Sequence, residues 1–281
     1  MEQWRPSPTQ LERIAFRRRR ARVRGAVAAV STIVVLAILA ALAVNAPGWA
    51  RVKATYFDVG YARQVFPQLR DAFWLNIKLF VVAEIFILAV ALLVAIIRVV
   101  PSPAMAPLKL LAIVYTDVFR GTPTLLVIFL VGFGLPALGL QGVPTSLFWL
   151  GVIALTLSYG AYVAEVIRAG IASVHPSQWA AARSLGLSYG KTLRHVVLPQ
   201  ALRRVMPPLL NDFVSLQKDT ALVATVGLIE ILRAAQINAS RDFNFTPYVV
   251  AAGFFIVMTL PLARLADWLA LRQLRREQGA T

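Results

Sequence analysis

Long apolar runs alternate with short polar segments along this chain. A bilayer-spanning helix needs about 20 mostly apolar residues. Six stretches reach that length, at 26–46, 74–100, 123–140, 147–167, 207–232 and 248–271. Pro47-Gly48 closes the first and Pro101 the second, since proline cannot continue a helix. A shorter amphipathic piece, 106–119, lies between the second and third. The pattern predicts an all-α polytopic membrane protein with about six transmembrane helices.

Composition agrees with this pattern. The chain is 58% hydrophobic and 15% charged, where a soluble domain carries about a quarter charged residues. It has no cysteine, which removes disulfides and thiolate metal sites. A net charge of +16 invites a nucleic-acid reading, but the excess sits in short segments between apolar runs, not on one face. Arg5, Arg13, Arg17, Arg18, Arg19, Arg20, Arg22 and Arg24 precede the first apolar run. That run is too long for a signal peptide and no convincing cleavage site follows, so it reads as a retained membrane helix. Loop charge then sets orientation. With the N-terminus inside, twenty Lys and Arg fall in inner segments and six in outer ones. Both termini and the 165–200 stretch are therefore expected in the cytoplasm.

The 165–200 stretch is the longest polar interruption and has helix punctuation. Ser177 is placed to cap a short helix over 178–185, and Gly186 suits a left-handed residue past its end. Ser188 is placed to cap a second helix, which Pro199 stops or kinks. Trp179, Ala182 and Leu185, at spacing three, give the first helix one apolar face. On the residues alone the stretch is either a solvated loop or a docking element for a soluble partner.

Ionisable groups inside a membrane are costly and face protein, water or a function. Lys78 lies near the end of the second run, within reach of the interface. Glu84 is two turns deeper, too short to reach out, and needs a partner or cavity. The fifth run is the most polar, with Asn211, Asp212, Ser215, Gln217, Lys218, Asp219 and Thr220 crowded together. Lipid exposure of that helix is very unfavourable. It is either a Lys–Asp network locking helices together or the wall of a path for an amino acid's charges. Ser158 and Tyr159 in the fourth run are milder candidates with Thr156, and Tyr162 and Glu165 form a gate or an anchor at its inner end. No G-x-x-x-x-G-K-[ST] loop, H-E-x-x-H or triad is present, so the chain is not expected to hydrolyse ATP. His175 and His195 read as surface residues.

The run QWAAARSLGLSYGKTLRHVVLPQALRRVMPPLLN resembles the EAA signature of permease subunits of ATP-binding-cassette importers, in the branch for polar amino acids. Gln178, Ala181, Ala182, Leu185, Gly186, Leu198, Pro199, Gln200 and Ala201 match the pattern G-Q-x-E-A-A-x-x-L-G followed by L-P-Q-A. Ser177 stands in place of Gly and Ala180 in place of Glu. YTDVFRGTPTLL, AYVAEVIR and KDTAL are similar to three further motifs of the family, in the same order. The resemblance covers roughly 74–271.

It implies a five-helix permease core plus one extra N-terminal helix. The organisation would be a basic cytoplasmic N-terminus (1–24), an extra helix and outer loop (25–73), the core (74–271) with a coupling loop (168–205), and a cytoplasmic tail (272–281). It implies an ATP-driven importer of polar amino acids in the bacterial inner membrane. Ser177, Gln178, Trp179, Ala181, Ala182, Arg183, Leu185 and Gly186 would couple to the ATPase. Glu84, Ser158, Tyr159, Asn211, Asp212, Ser215, Gln217, Lys218, Asp219 and Thr220 would line the substrate path. The implied partners are a second permease (identical or sibling), two ATPase subunits that bind ATP and Mg, an extracytoplasmic amino-acid-binding protein and membrane lipid. Nucleic acid, metal and a resident cofactor are not expected. The alternative is an ion-coupled secondary transporter without an ATPase, which six helices with no inverted repeat fit poorly.

Overall fold

The computed structural model describes residues 7–278, and Arg5 lies outside them. The described residues are helical throughout, with no strands. The helices are α1 (Pro8–Val44), α2 (Trp49–Tyr56), α3 (Val59–Val99), α4 (Ala106–Gly121), α5 (Thr124–Phe129), α6 (Leu135–Ala137), α7 (Leu147–Ala172), α8 (Pro176–Ser184), α9 (Tyr189–Thr192), α10 (Leu198–Asp219), α11 (Ile231–Asp242) and α12 (Thr246–Gln278). Four spans are long and apolar enough to cross a membrane singly. Two bent pairs, Pro103–Gly121 with Thr124–Ala137 at 106° and Tyr189–Val226 with Ile231–Asp242 at 52°, bring the number to six.

The chain divides into two compact units at Phe57 and Asp58. In the first, Ser7 and Gln10 form a reciprocal capping box at the start of α1. The helix then runs unbroken from the Arg cluster through the first apolar run. Ser31 and Thr32 return their hydroxyls to the Ala28 carbonyl, at 2.9 and 2.8 Å, which keeps them satisfied in an apolar setting.

In the second unit α3 packs along α7, with α10 and α12 beside them. Leu79, Ile87, Leu150, Leu155, Leu216 and Val223 are buried in the shared core. Small residues set the helix separation, as is usual between membrane helices. At Gly151 an added Cβ would lie 2.7 Å from the Val223 side chain.

The residues 59–73, expected as outer loop, are the first four turns of α3. Asp58 caps them through the Tyr61 amide at 3.0 Å. Val65, Leu69 and Phe73, at spacing four, bury against Ile231, Ala234 and Ala235 of α11 and Ala251 of α12. Arg63, Gln64, Gln68 and Arg70 occupy the other faces, which hid this amphipathic helix from a hydropathy reading.

Pro199 does not stop the second loop helix. A π turn over Leu193–Val197 precedes it and lets the helix continue from α9 into α10. The wider turn accommodates the proline's ring and missing N–H.

The fifth run does break further on. After Asp219 the backbone tightens into a 3-10 segment, Thr220–Val226, and turns at Gly227, whose φ of +101° suits glycine. It restarts as α11. Backbone groups exposed by a break need partners inside the protein, and Asn76 of α3 supplies one and orients the residue that supplies another. The Asn76 amide, 2% exposed, donates to Thr220 Oγ1 at 3.2 Å and to Glu230 Oε2 at 2.9 Å. Its carbonyl accepts the Ile231 N–H at 3.1 Å. Glu230 in turn caps α11 through the Arg233 N–H at 2.8 Å. Asn76→Leu therefore strands a carboxylate and an amide in the core. It should cost about 3 kcal/mol and lower the melting midpoint of the purified protein, read by intrinsic fluorescence. An unchanged midpoint would show that the break holds without Asn76.

Candidate functional site

Two polar regions carry the residues singled out by sequence. The first is the helical loop between α7 and α10. His175, not Ser177, caps α8: its Nδ1 accepts the Ser177 N–H at 3.2 Å, and Pro176 fills the first helical position. Proline is favoured there because its missing N–H is not needed, which moves the helix start two residues earlier than expected. The Gly186 N–H bonds the Arg183 carbonyl at 3.0 Å and the Leu187 N–H the Ala182 carbonyl at 3.3 Å. With Gly186 at φ +80°, this is a Schellman ending. Ser188 caps α9 as expected.

The apolar face predicted at spacing three divides in two. Trp179 stacks on Tyr189, with centroids 5.1 Å apart, and Ala182 is buried. Leu185 falls beyond the last helical turn and is 83% exposed. Ser177, Gln178, Ala181 and Arg183 are exposed with it. The outward surface of α8 is thus Gln178, Ala181, Arg183 and Leu185, and Trp179 is an inward anchor.

Beneath the loop, one carboxylate ties two helices. Glu165 of α7 accepts from Arg98 of α3 at 2.7 Å and from Arg168 at 2.6 and 3.0 Å. Arg98 also donates to Thr116 of α4 at 3.1 Å. The Tyr189 hydroxyl reaches the Val99 carbonyl at 3.0 Å, so the loop is pinned to the end of α3. Between loop and helices a cavity of about 410 Å³ is lined by Arg98, Arg168, Trp179 and Tyr189 among others.

The second region lies inside the bundle. The Tyr159 hydroxyl donates to Asp219 at 2.7 Å. Asp212 and Glu84 are half-buried and close enough for their charges to interact, and Tyr159 feels both Asp212 and Asp219. One Asp212 oxygen and the Ser158 hydroxyl are buried without a hydrogen-bond partner among the described residues. None of the three carboxylates pairs with Lys or Arg among the described residues.

The remaining residues separate from this cluster. Lys218 and Asn211 are exposed and Ser215 is half-buried. Gln217 accepts from Thr259 of α12 at 2.6 Å, and Thr220 belongs to the Asn76 network. The Lys–Asp network, one of the two readings of the fifth run, is absent among the described residues. Helix geometry explains this, because Lys218 and Asp219 are adjacent and point about 100° apart.

Sequence reading missed Asn76, Glu230 and Arg98. Asn76 and Glu230 each stand out as single polar residues in apolar surroundings. Arg98 sits near a helix end, where cations are ordinary.

The chain matches, over residues 103–275, the family described as binding-protein-dependent transport system inner membrane component. It is 34% identical to the arginine transport system permease protein ArtQ of Bacillus subtilis strain 168, covering 70% of this chain and 88% of that protein. It is 36% identical to a probable glutamine ABC transporter permease protein, GlnM, of the same organism, over 74% of this chain and 94% of the relative. Among solved structures it is similar to an amino acid ABC transporter crystallised with histidines, with 34% identity, a TM-score of 0.69, and coverage of 76% of this chain and 98% of the other. The MetNI methionine ABC transporter shares the fold at 18% identity and a TM-score of 0.59, over 73% of this chain and 95% of that one.

Glu165→Gln would leave two largely buried guanidiniums without a counter-charge. It should cost about 2 kcal/mol, below the value for a fully buried pair because water still reaches Arg168. The check is the melting midpoint of the purified variant, and no shift would mean that the trio does not fix the helix ends.

Proposed function

Given that this chain belongs to the binding-protein-dependent inner membrane components, the permease subunits of ATP-binding-cassette importers, we propose that it forms the translocation path for a polar, preferentially cationic amino acid. As a family member it spans the inner membrane several times, binds no cofactor itself and works with a separate ATPase and a binding protein. Two permease copies, identical or sibling, would sit on two ATPase subunits that hold ATP and Mg. Both termini and the 168–205 loop would be cytoplasmic, supported by the bias of loop Lys and Arg. The core would be the five spans from α3 onward, with the first helix as an addition to it.

The substrate reading rests on one observation. Asp212 and Asp219 lie beside Tyr159 and Glu84 lies beside Asp212, and none of the three carboxylates is paired with a basic residue among the described residues. Unpaired carboxylates in a membrane interior are costly, and a cation passing between them offsets that cost. The similarity to an arginine permease supports the same class, while relatives named for glutamine widen it to polar amino acids. Ser158 would add a hydroxyl to the path. Lys218, on the exposed face, would meet lipid headgroups or a partner subunit. In proteoliposomes holding the assembled complex, L-arginine should outcompete L-glutamate for uptake, and Asp219→Asn should raise the KM for L-arginine about tenfold. Equal competition by L-glutamate would overturn the cationic preference.

The exposed face of α8 would dock on the ATPase, with Leu185 as its apolar contact and Arg183 as its charge. Ser177 and Gln178 would border that contact, and Trp179 and Ala182 would hold α8 from behind. Gly186 sets the direction in which the chain leaves α8. At φ +80° a side chain strains the backbone by about 1–2 kcal/mol, although no atom lies within 4 Å of an added Cβ. Gly186→Val should leave the protein inserted but reduce substrate-stimulated ATP hydrolysis by about fivefold or more. Normal stimulation together with normal co-purification of the ATPase would remove α8 from the coupling path.

A further inference from the structure

The break after Val226 opens a second cavity, of about 490 Å³, at the far end of the 3-10 segment that follows Asp219. Cavities of roughly 300–1,000 Å³ are typical of small-molecule sites. Thr225, Gly227, Arg233, Gln236 and Tyr248 line it, with Ala224 and Leu232. Among the described residues, Arg233 is its only charged lining residue. It is half-buried and forms no ion pair among the described residues. Its Nη1 donates to Gln236 at 2.7 Å, while Nε and Nη2 make no hydrogen bond among the described residues. Glu230 does not neutralise it, because its carboxylate is fully buried against Asn76 and the first N–H groups of α11.

A guanidinium with a free fork, held at a cavity wall beside an amide and a phenol ring, is suited to a carboxylate. The cavity also sits where a span is discontinuous, and membrane transporters place polar ligands at such breaks. We infer that this cavity is an entry station binding the α-carboxylate of the incoming amino acid, with Arg233 as the binding residue. The inference rests on the proposed reading of the chain as an amino acid importer.

The two ends of the 3-10 segment then carry opposite chemistry. Its inner end follows Asp219, which is bonded to Tyr159. Its outer end forms the Arg233 cavity. Seven residues of 3-10 helix rise about 14 Å, too far for one amino acid to bridge, so the stations are successive. The first reads the group common to all α-amino acids, and the second reads side-chain charge.

Because the chain has no cysteine, Gln236→Cys puts a single thiol of the permease in this cavity. The test uses the permease–ATPase complex in proteoliposomes with an impermeant thiol reagent outside. L-arginine at millimolar concentration should slow labelling about fivefold. Its amide, which lacks the carboxylate, should not, and adding Arg233→Gln should abolish the protection. Equal rates with and without L-arginine would overturn the inference, as would equal protection by the amide. So would complete absence of labelling, which would mean that another subunit covers the cavity. If the unsubstituted complex imports no amino acid at all, the importer reading fails; if it does and only the protection is missing, the entry station alone fails.

Discussion

Every helix in this bundle answers to one constraint, that backbone polar groups away from water must be satisfied within the protein. Continuous helices meet it by themselves. The span that breaks between Thr220 and Ile231 does not, and a buried amide together with the Glu230 carboxylate it holds meets it where α11 restarts. Asn76 holds the hydroxyl of the residue before the break, the carboxylate within it and the first N–H after it. That arrangement fixes where α11 starts. It thereby fixes which way Arg233 points and where the 3-10 segment ends. The proposed entry and inner stations both depend on a side chain that touches neither ligand.

The loop shows a comparable division of labour. Trp179 and Tyr189 face inward and hold α8 to the spanning helices, while Gln178, Ala181, Arg183 and Leu185 face away. A cavity remains beside this junction, while Trp179 and Leu193 pack with Val99, Ile167 and Ile171 in a small apolar cluster and the Tyr189 hydroxyl bonds the Val99 carbonyl. Glu165, by contrast, is gripped by two arginines from different helices.

Much of this was legible in the sequence. The apolar runs located the spans. Gly186 and Ser188 marked helix ends because their conformational and hydrogen-bonding roles are local. What sequence could not give was any relation set by tertiary contact. The first turns of α3 look like a polar loop until α11 and α12 are there to cover Val65, Leu69 and Phe73. The residues of the fifth run look like one polar wall. In three dimensions the 3.6-residue period sends Asp212 and Asp219 to one environment, Lys218 to another, and Gln217 and Thr220 into contacts that hold helices together. Leu185 was counted on an apolar face because the spacing allowed it, but the helix had already ended. His175 was passed over as a cap because a ring nitrogen is a less familiar acceptor than a serine hydroxyl.

The π turn at Leu193–Val197 has a bearing on how such chains are compared. It holds one more residue than an α turn would, and one residue of α-helix is about 100° of rotation. Helical phase counted forward from Tyr189 is therefore off by more than a quarter turn when it reaches Asp212. Any alignment that slides a relative by one residue within this turn leaves the apolar pattern nearly intact, yet assigns the carboxylates to the wrong side. Faces downstream of the turn have to be indexed from Pro199 onward, with the loop helix treated as a separate ruler.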